Sequence, residues 1–205
     1  MLRNDWWENE YVHGDIAVHM TGGPQGKGNP TRDWLVDHIP QHSTVLDVGC
    51  CNALMLQTFY DAEKLIKYTG VDRLSKFIDW CKEHYPSGDF KVSDADDLRD
   101  FEDNSFDCVV SRHVIEHLPH YSQHIIEMYR VAKKEVIIIP FLDFTGHNFD
   151  RLQYGMIKEG GSWYNQYSRE GLERFLRYHD INDFDITENY KDSGNSIIIL
   201  RKGTK

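Results

Sequence analysis

Short runs rich in β-branched residues alternate with longer amphipathic segments from about residue 44 of this 205-residue chain. The runs with strand composition are 43–49, 66–72, 89–94, 105–114 and 135–141, and the segments with helical spacing between them are 53–62, 74–86 and 120–134. This order produces parallel strands connected by right-handed helical crossovers, with helices on both faces of the sheet. The unbroken apolar stretch at 135–141 indicates a strand buried on both faces. The alternation therefore predicts an α/β fold with a doubly wound, mostly parallel sheet.

The carboxyl-terminal segment follows a different order. Residues 168–180 have helical spacing and begin with Ser168, a favourable N-cap. Two strand-like runs follow, 183–190 and 195–203, with only the turn-forming letters KDSG between them. Strands with so short a connection pair antiparallel. We therefore predict a sheet of about seven strands that ends in an antiparallel hairpin.

Two segments lie outside this pattern. The amino-terminal residues 1–40 combine aromatic and glycine residues with a short helix, for which Asn29 is the cap and Pro30 the first helical position. Residues 142–167 form a connection that is long for a compact domain, and such loops are commonly functional. We predict one domain over residues 1–205, with both segments as candidate lids over a site.

Composition and charge disfavour several classes of function. The formal net charge is −10 without a run of lysine or arginine, which argues against a nucleic acid as partner. The longest apolar run, 136–142, is too short to cross a bilayer, and the amino terminus lacks an apolar signal region. The four cysteines form no CxxC pair, which indicates reduced thiols. We expect a cytoplasmic protein without nucleic-acid or membrane partners.

Acidic and glycine residues follow the predicted parallel strands at the points where these strands end. Asp47 and Gly49 belong to the first strand end, Asp72 to the second, Asp94 to the third and residues 111–113 to the fourth. In an open parallel sheet, ligands bind beyond the carboxyl ends of the strands, where the strand order reverses. We therefore expect these residues to converge in space on one site.

Four stretches resemble the motifs of the class I S-adenosylmethionine-dependent methyltransferases, which have a Rossmann-like fold. They are VLDVGC at 45–50, GVD at 70–72, SDADDL at 93–98 and FEDNSFDCVVSRHVIEHL at 101–118. The last stretch is the most specific, because its length and its register from the third-strand aspartate also match the family. The resemblance covers residues 43–141 well and residues 168–203 in outline.

The resemblance implies S-adenosylmethionine as the cofactor and assigns residues to it. The residues so implied lie at or just after the strand ends and are Asp47, Gly49, Cys51, Asp72, Arg73, Asp94, Ala95 and Arg112. Asp72 would accept the ribose hydroxyls, a role that suits a carboxylate. Asp94 would accept from the adenine amino group, and Ala95 would face the ring. Asp47, Gly49 and Arg112 would lie beside the methionine part.

The loop after the first strand departs from the family pattern, which has glycine at positions 49, 51 and 53. This chain has Gly49, Cys51 and Ala53. A left-handed backbone conformation at Cys51 would cost ~1–2 kcal/mol, which one good hydrogen bond could offset. Asn52 tolerates that conformation better, so a turn shifted by one residue is the alternative. In either case we expect the pocket to survive.

The stretch HVIEH at 113–117 also fits the HxxEH spacing of one class of metalloprotease. A zinc site needs both histidines on one helical face and a third ligand. His113 ends a predicted strand, whereas His117 precedes the turn at Pro119. The methyltransferase motif accounts for the same letters, and we expect no metal.

Methyl transfer to a small-molecule acceptor, such as a sugar or another oxygen or nitrogen acceptor, is the predicted function. His113 and His147 are the candidate catalytic bases for a hydroxyl acceptor. The alternative is a catalytically inactive relative that binds a partner through the same fold. A dehydrogenase is disfavoured, because the first turn lacks the GxGxxG order. The sequence does not identify the acceptor, and a homodimer stays open.

Overall fold

The computed structural model describes residues 29–157 and 160–203, which contain a seven-stranded sheet and a separate hairpin. The strands of the sheet are β1 (Thr44–Val48), β2 (Lys67–Asp72), β3 (Asp89–Val92), β4 (Phe106–Arg112), β5 (Ala132–Ile139), β8 (Phe184–Thr187) and β9 (Ile197–Arg201). The hairpin consists of β6 (Tyr154–Ile157) and β7 (Gly160–Trp163). Residues 1–28, which hold the aromatic residues and glycines of the predicted amino-terminal lid, lie outside the described part of the chain.

The described residues contain five α-helices, of which the first precedes β1 and the others lie between strands. They are α1 (Pro30–His38), α2 (Leu54–Asp61), α3 (Ser75–His84), α4 (Ser122–Val131) and α5 (Arg169–Tyr178). Two 3-10 turns accompany them, at Ile115–His117 and Tyr190–Asp192. Asn29 caps α1 by accepting the N–H groups of Thr31 and Arg32, and Ser168 caps α5 by accepting from Gly171. Among the described residues, none of the helices combines the length and apolar character needed to cross a membrane.

The sheet has the strand order β3-β2-β1-β4-β5-β9-β8. The first five strands in this order pair parallel, and β9 pairs antiparallel with both β5 and β8. From β1 the chain runs outward through β2 to β3, and then returns to place β4 on the other side of β1. This reversal lies between β1 and β4, which is where an open sheet binds its ligand. The predicted mostly parallel sheet with an antiparallel end is confirmed.

The two faces of the sheet carry separate apolar cores. Residues that alternate along β5 point to opposite faces, because successive strand side chains do so. Val136 and Ile138 join the core that contains α4 and α5, whereas Ile137 and Ile139 join the core that contains α1, α2 and α3. The apolar run of β5 is therefore unbroken because helices cover both faces of the sheet, as expected from the sequence.

The structure differs from the sequence prediction at several element boundaries and in the connection 142–167. Helix α4 ends at Val131, and β5 begins at once at Ala132, whereas the apolar run placed the strand start at 135. Strand β4 ends at Arg112 instead of continuing to residue 114. The connection 142–167 contains the hairpin β6–β7. The first two residues of β7 are glycines, and these hid the hairpin, because glycine is depleted in strands.

Candidate functional site

A cavity of about 750 Å³ lies at the carboxyl ends of the parallel strands. All eight residues implied for the cofactor line it, namely Asp47, Gly49, Cys51, Asp72, Arg73, Asp94, Ala95 and Arg112. His113 lines the same cavity. The residues at the strand ends therefore line one cavity, as expected from the sequence. The role of each residue stays a prediction.

Gly49 allows the first strand to end directly beneath the loop after β4. Its φ of +79° lies in the left-handed region, and its N–H donates to the Val71 carbonyl at 2.8 Å. A β-carbon at this position would overlap the Cγ2 methyl group of Val114. Both the left-handed backbone and the contact with Val114 therefore favour glycine at position 49.

Cys51 and Ala53 both adopt the left-handed conformation that the family glycines provide, with φ of +49° and +52°. Asn52 is not among the residues with positive φ. The alternative of a turn shifted onto Asn52 is therefore wrong. The Cys51 N–H donates to Asp72 Oδ2 at 3.1 Å, and its carbonyl accepts from the Cys81 thiol at 3.1 Å. These bonds hold the cysteine in the conformation that its β-carbon disfavours.

Asp72 is the last residue of β2 and connects two segments of the cavity wall. Its Oδ1 accepts the N–H of Leu74 at 2.9 Å, while its Oδ2 accepts from Cys51. Burial raises the pKa of this carboxyl, and the backbone hydrogen bonds oppose that shift. The Arg73 N–H is a third backbone donor to this carboxylate, whose two oxygens offer about four lone pairs. Asp72 can therefore accept a ligand hydroxyl without giving up its backbone partners.

Asp47 lies at the base of the cavity with a side chain that is nearly inaccessible. Its Oδ2 accepts the Tyr68 hydroxyl at 2.5 Å. Burial raises the pKa of Asp47 to about 7, the Tyr68 hydrogen bond lowers it, and the charges of Asp72 and Arg112 act in opposite directions. The carboxyl therefore changes charge near neutral pH.

Arg112 ends β4 and lies beside a second arginine of the cavity wall, Arg32 of α1. Burial and the charge of Arg32 lower the pKa of Arg112 to about 10, against the attraction of Asp47 and Glu116. The Arg112 Nε group donates to Thr31 Oγ1 at 3.4 Å. Sequence analysis missed Arg32, because nothing in the sequence shows that α1 packs beside the end of β4.

His113 follows β4 with a φ of +60° and packs its ring edge-on against Phe141 at 5.4 Å between centroids. Its Nε2 lies 2.5 Å from Asn195 Oδ1. The Asn195 amide nitrogen already donates to Ser193, so Nε2 is the donor and the lone pair of the ring lies on Nδ1. Burial is the main reason that the pKa of His113 falls to about 3. His113 is therefore a neutral imidazole and a weak base.

His147 is placed elsewhere. It is exposed in the loop after β5, stacks on Phe149 at 5.1 Å, and donates its backbone N–H to Thr145 Oγ1 at 3.2 Å. It is not among the residues that line the cavity. The structure thus does not bring the two predicted catalytic histidines together, because the chain after Phe141 runs along the surface before it returns in the hairpin.

The hairpin closes one side of the cavity with aromatic residues. Trp163 and Tyr164 line the cavity together with Phe141 and His117. His117 Nδ1 lies 2.9 Å from the Trp163 carbonyl, and its ring contacts Tyr164 and Phe141 at 5.3 and 5.4 Å. Burial lowers the pKa of His117 to about 4. Sequence analysis considered His117 only as a metal ligand and missed its place in this wall.

The 3-10 turn Ile115–His117 contacts both ends of the connection that contains the hairpin. Glu116 Oε1 accepts the backbone N–H groups of Phe141 and Leu142, and the Glu116 carbonyl accepts from Asn165 at 2.9 Å. Burial raises the pKa of Glu116 to about 7 against these hydrogen bonds. Within residues 29–157 and 160–203, no group of three or more candidate side chains is arranged to hold a metal ion.

Residues 46–139 match the family model described as "Methyltransferase domain". A curated relative, "Putative methyltransferase 235L" of Invertebrate iridescent virus 6, is 36% identical over 73 residues. That match covers 36% of this chain and 27% of the relative, so the chain spans about a quarter of the length of this relative.

Two solved structures illustrate the shared fold. An S-adenosylmethionine-dependent methyltransferase from Mesorhizobium loti has a TM-score of 0.62 at 11% identity, over 85% of this chain and 99% of that one. The Burkholderia thailandensis 1,6-didemethyltoxoflavin-N1-methyltransferase, with bound 1,6-didemethyltoxoflavin and S-adenosylhomocysteine, has a TM-score of 0.63 at 16% identity, over 98% and 84%. The family match at residues 46–139 agrees with the resemblance seen in the motifs, and the two solved structures show the same fold as this chain.

Proposed function

We propose that this chain, whose residues 46–139 form a class I S-adenosylmethionine-dependent methyltransferase domain, transfers the cofactor's methyl group to a small-molecule acceptor. One observation carries this proposal. One cavity is lined both by the strand-end carboxylates Asp72 and Asp94, on the β2–β3 side of the sheet, and by the aromatic residues Trp163 and Tyr164. These two aromatic residues contact His117, which follows β4. Such a cavity can hold a nucleoside cofactor and an organic acceptor side by side.

The residues at the strand ends suit the cofactor. Asp72 offers carboxylate oxygens for ribose hydroxyls, and the exposed Asp94 offers them for an amino group. Met55 and Phe77 supply apolar surface on the same wall, which suits the faces of a purine. The bound cofactor supplies a methyl group on a positively charged sulfur. We propose that Asp47, Gly49 and Arg112 surround the methionine part, while Cys51, Arg73 and Ala95 complete the wall.

The acceptor is proposed to bind between the end of β4 and the hairpin. Phe141, Trp163 and Tyr164 form an apolar wall there, and the neutral rings of His113 and His117 add hydrogen-bonding groups without charge. These features suit an uncharged organic acceptor with an oxygen or nitrogen nucleophile, such as a sugar. The lid keeps water away from the reacting atoms and fixes their alignment, which is the main requirement of a direct displacement.

Base catalysis plays a small part in this proposal. A group with a pKa near 3 takes up a proton poorly at neutral pH, so His113 is better suited to accept a hydrogen bond from the acceptor than to remove its proton. His147 does not line the cavity and is left out of the mechanism. We infer that the chain aligns an acceptor that is already nucleophilic or that has lost its proton to solvent before it binds.

Ligand binding tests the proposal. Purified protein is titrated with S-adenosylmethionine, S-adenosylhomocysteine and NADH while thermal unfolding is followed. A ligand at about 100 times its dissociation constant adds ~2.7 kcal/mol to the stability of the folded state. We expect stabilisation by both sulfur nucleosides, its loss in Asp72→Ala, and its retention in the exposed control Asp79→Ala of α3.

Turnover separates the two remaining functions. Incubation with S-adenosylmethionine labelled in its methyl group, followed by a screen of small hydroxyl and amine acceptors, is expected to yield a labelled product. Cofactor binding without a product from any acceptor class would favour the alternative of an inactive binding protein. Stabilisation by neither nucleoside would overturn the proposed function.

A further inference from the structure

We propose that His124 is a positioning residue for the purine end of the cavity, and that it acts by fixing the peptide unit between Ala95 and Asp96. This inference rests on the proposed function, because it takes the cavity to be the cofactor site. His124 lies in α4, and it is fully buried. It does not line the cavity itself, whereas Ala95 and Asp96 do.

Both ring nitrogens of His124 have partners from different elements. Nδ1 lies 2.7 Å from the Ala95 carbonyl oxygen, and Nε2 lies 2.9 Å from Ser111 Oγ of β4. A carbonyl only accepts, so Nδ1 carries the hydrogen, and the neutral ring then accepts from the Ser111 hydroxyl at Nε2. Burial lowers the pKa of His124 to about 4 and keeps the ring neutral. The tautomer is therefore set by the two partners.

The hydrogen bond to Ala95 fixes the direction of a neighbouring donor. In a trans peptide the carbonyl and the following N–H point in opposite directions. Because the Ala95 carbonyl points at His124, the N–H of Asp96 points away from it. In the described part of the chain, the N–H groups of Ala95 and Asp96 have no acceptor. His124 thus holds a loop that offers backbone donors beside the Asp94 carboxylate.

A donor next to a carboxylate complements a ligand edge that carries an acceptor next to a donor. The N1 atom and the 6-amino group of adenine form such an edge. In hypoxanthine the corresponding edge has an N1–H donor and a 6-oxo acceptor, so the same loop would face a donor with a donor and a carboxylate with an oxygen. We infer that His124 supports discrimination between 6-amino and 6-oxo purines without touching either.

Two substitutions separate this role from general stability. His124→Asn places an amide donor near the position of Nδ1, and so retains a donor for Ala95. His124→Gln places its amide near the position of Nε2 and loses that donor. Both remove the ring from the same buried position, so both are expected to lower the melting temperature. Dissociation constants for S-adenosylhomocysteine and S-inosylhomocysteine are measured for each folded variant and for the wild type.

We expect His124→Gln to weaken S-adenosylhomocysteine binding by about tenfold, the size of one lost hydrogen bond, and to reduce the preference over S-inosylhomocysteine. His124→Asn is expected to stay within about threefold of the wild type in both. Equal losses in the two variants with an unchanged preference would overturn the role of His124 alone. A wild type that binds neither nucleoside would overturn the proposed function and this inference together.

Discussion

Cys51 donates its backbone N–H to the Asp72 carboxylate at 3.1 Å while its own φ is +49°. This bond joins the end of β2 to the loop that follows β1. It explains how a cysteine can occupy a position where the family has glycine, because a hydrogen bond to a charged group contributes roughly 1.5–3 kcal/mol. That is large enough to offset the ~1–2 kcal/mol that a β-carbon costs in the left-handed region.

The strain at Cys51 predicts that Cys51→Gly stabilises the protein. Glycine removes the left-handed penalty but gains freedom in the unfolded chain, so we expect the free energy of unfolding to rise by no more than about 1 kcal/mol. Cys51→Ala is the matched control, because it removes the thiol and retains the β-carbon. Chemical denaturation of both variants measures the difference. A gain in the alanine variant equal to that in the glycine variant would assign the effect to the thiol.

Gly49→Ala is expected to lower the free energy of unfolding by roughly 2–4 kcal/mol and to abolish cofactor binding. The added methyl group overlaps Val114, and the residue has a φ of +79°. Gly155→Ala in β6 is the control, since a β-carbon there meets nothing within 4 Å and the glycine has no positive φ. Denaturant unfolding and ligand-induced melting shifts measure both effects. An alanine at position 49 that binds the cofactor normally would contradict the packing seen here.

Glu116 predicts a pH dependence of stability with a definite sign. Its pKa is raised by burial from 4.5 to about 7, so the folded state binds more protons than the unfolded state between these values. The contribution of this group to stability is therefore fully present below pH 4.5 and is lost as the pH rises to about 7. Glu116→Gln does not titrate. We expect its stability relative to the wild type to increase over this range by up to ~3 kcal/mol.

Urea unfolding of the two proteins at several pH values between 4.5 and 7.5 measures this difference. The comparison with Glu116→Gln isolates one group, because the buried histidines titrate in both proteins. Glu170→Gln, at an exposed position in the first turn of α5, is the control for replacing a glutamate by glutamine. A difference for Glu116→Gln that does not change with pH would contradict the raised pKa of Glu116.

Trp163→Ala is expected to separate acceptor binding from cofactor binding. Trp163 contacts His117 after β4, whereas Asp72 and Asp94 follow β2 and β3 on the other side of β1, so the dissociation constant for S-adenosylhomocysteine should change by no more than about twofold. The Michaelis constant for the acceptor should rise by about tenfold or more, as expected for a truncated aromatic contact. Trp80→Ala in α3, outside the cavity, is the control. Loss of cofactor binding in Trp163→Ala would place the cofactor near the hairpin instead.

The order of strands and helices along the chain and the position of the site at the strand ends could be predicted from the sequence, because both depend on local patterns. Apolar runs and helical spacing give the strands and helices, and parallel strands bring Asp47, Asp72 and Asp94 to one edge. The conformation of Cys51 could not be predicted. Cysteine, asparagine and alanine all stand in the loop, and only the tertiary structure shows that the left-handed residues are 51 and 53.

The sequence by itself determined the α/β alternation, the antiparallel end and the residues at the strand ends, since each follows from neighbours along the chain. Only the tertiary structure decided which distant residues share the cavity. Arg32 and Trp163 reach it through packing of α1 and the hairpin, and His147 does not. His124 acquires its role from Ala95 and Ser111, which are 29 and 13 residues away along the chain. Contacts between residues so far apart along the chain depend on the packing of the whole domain, and this packing cannot be predicted from local sequence patterns.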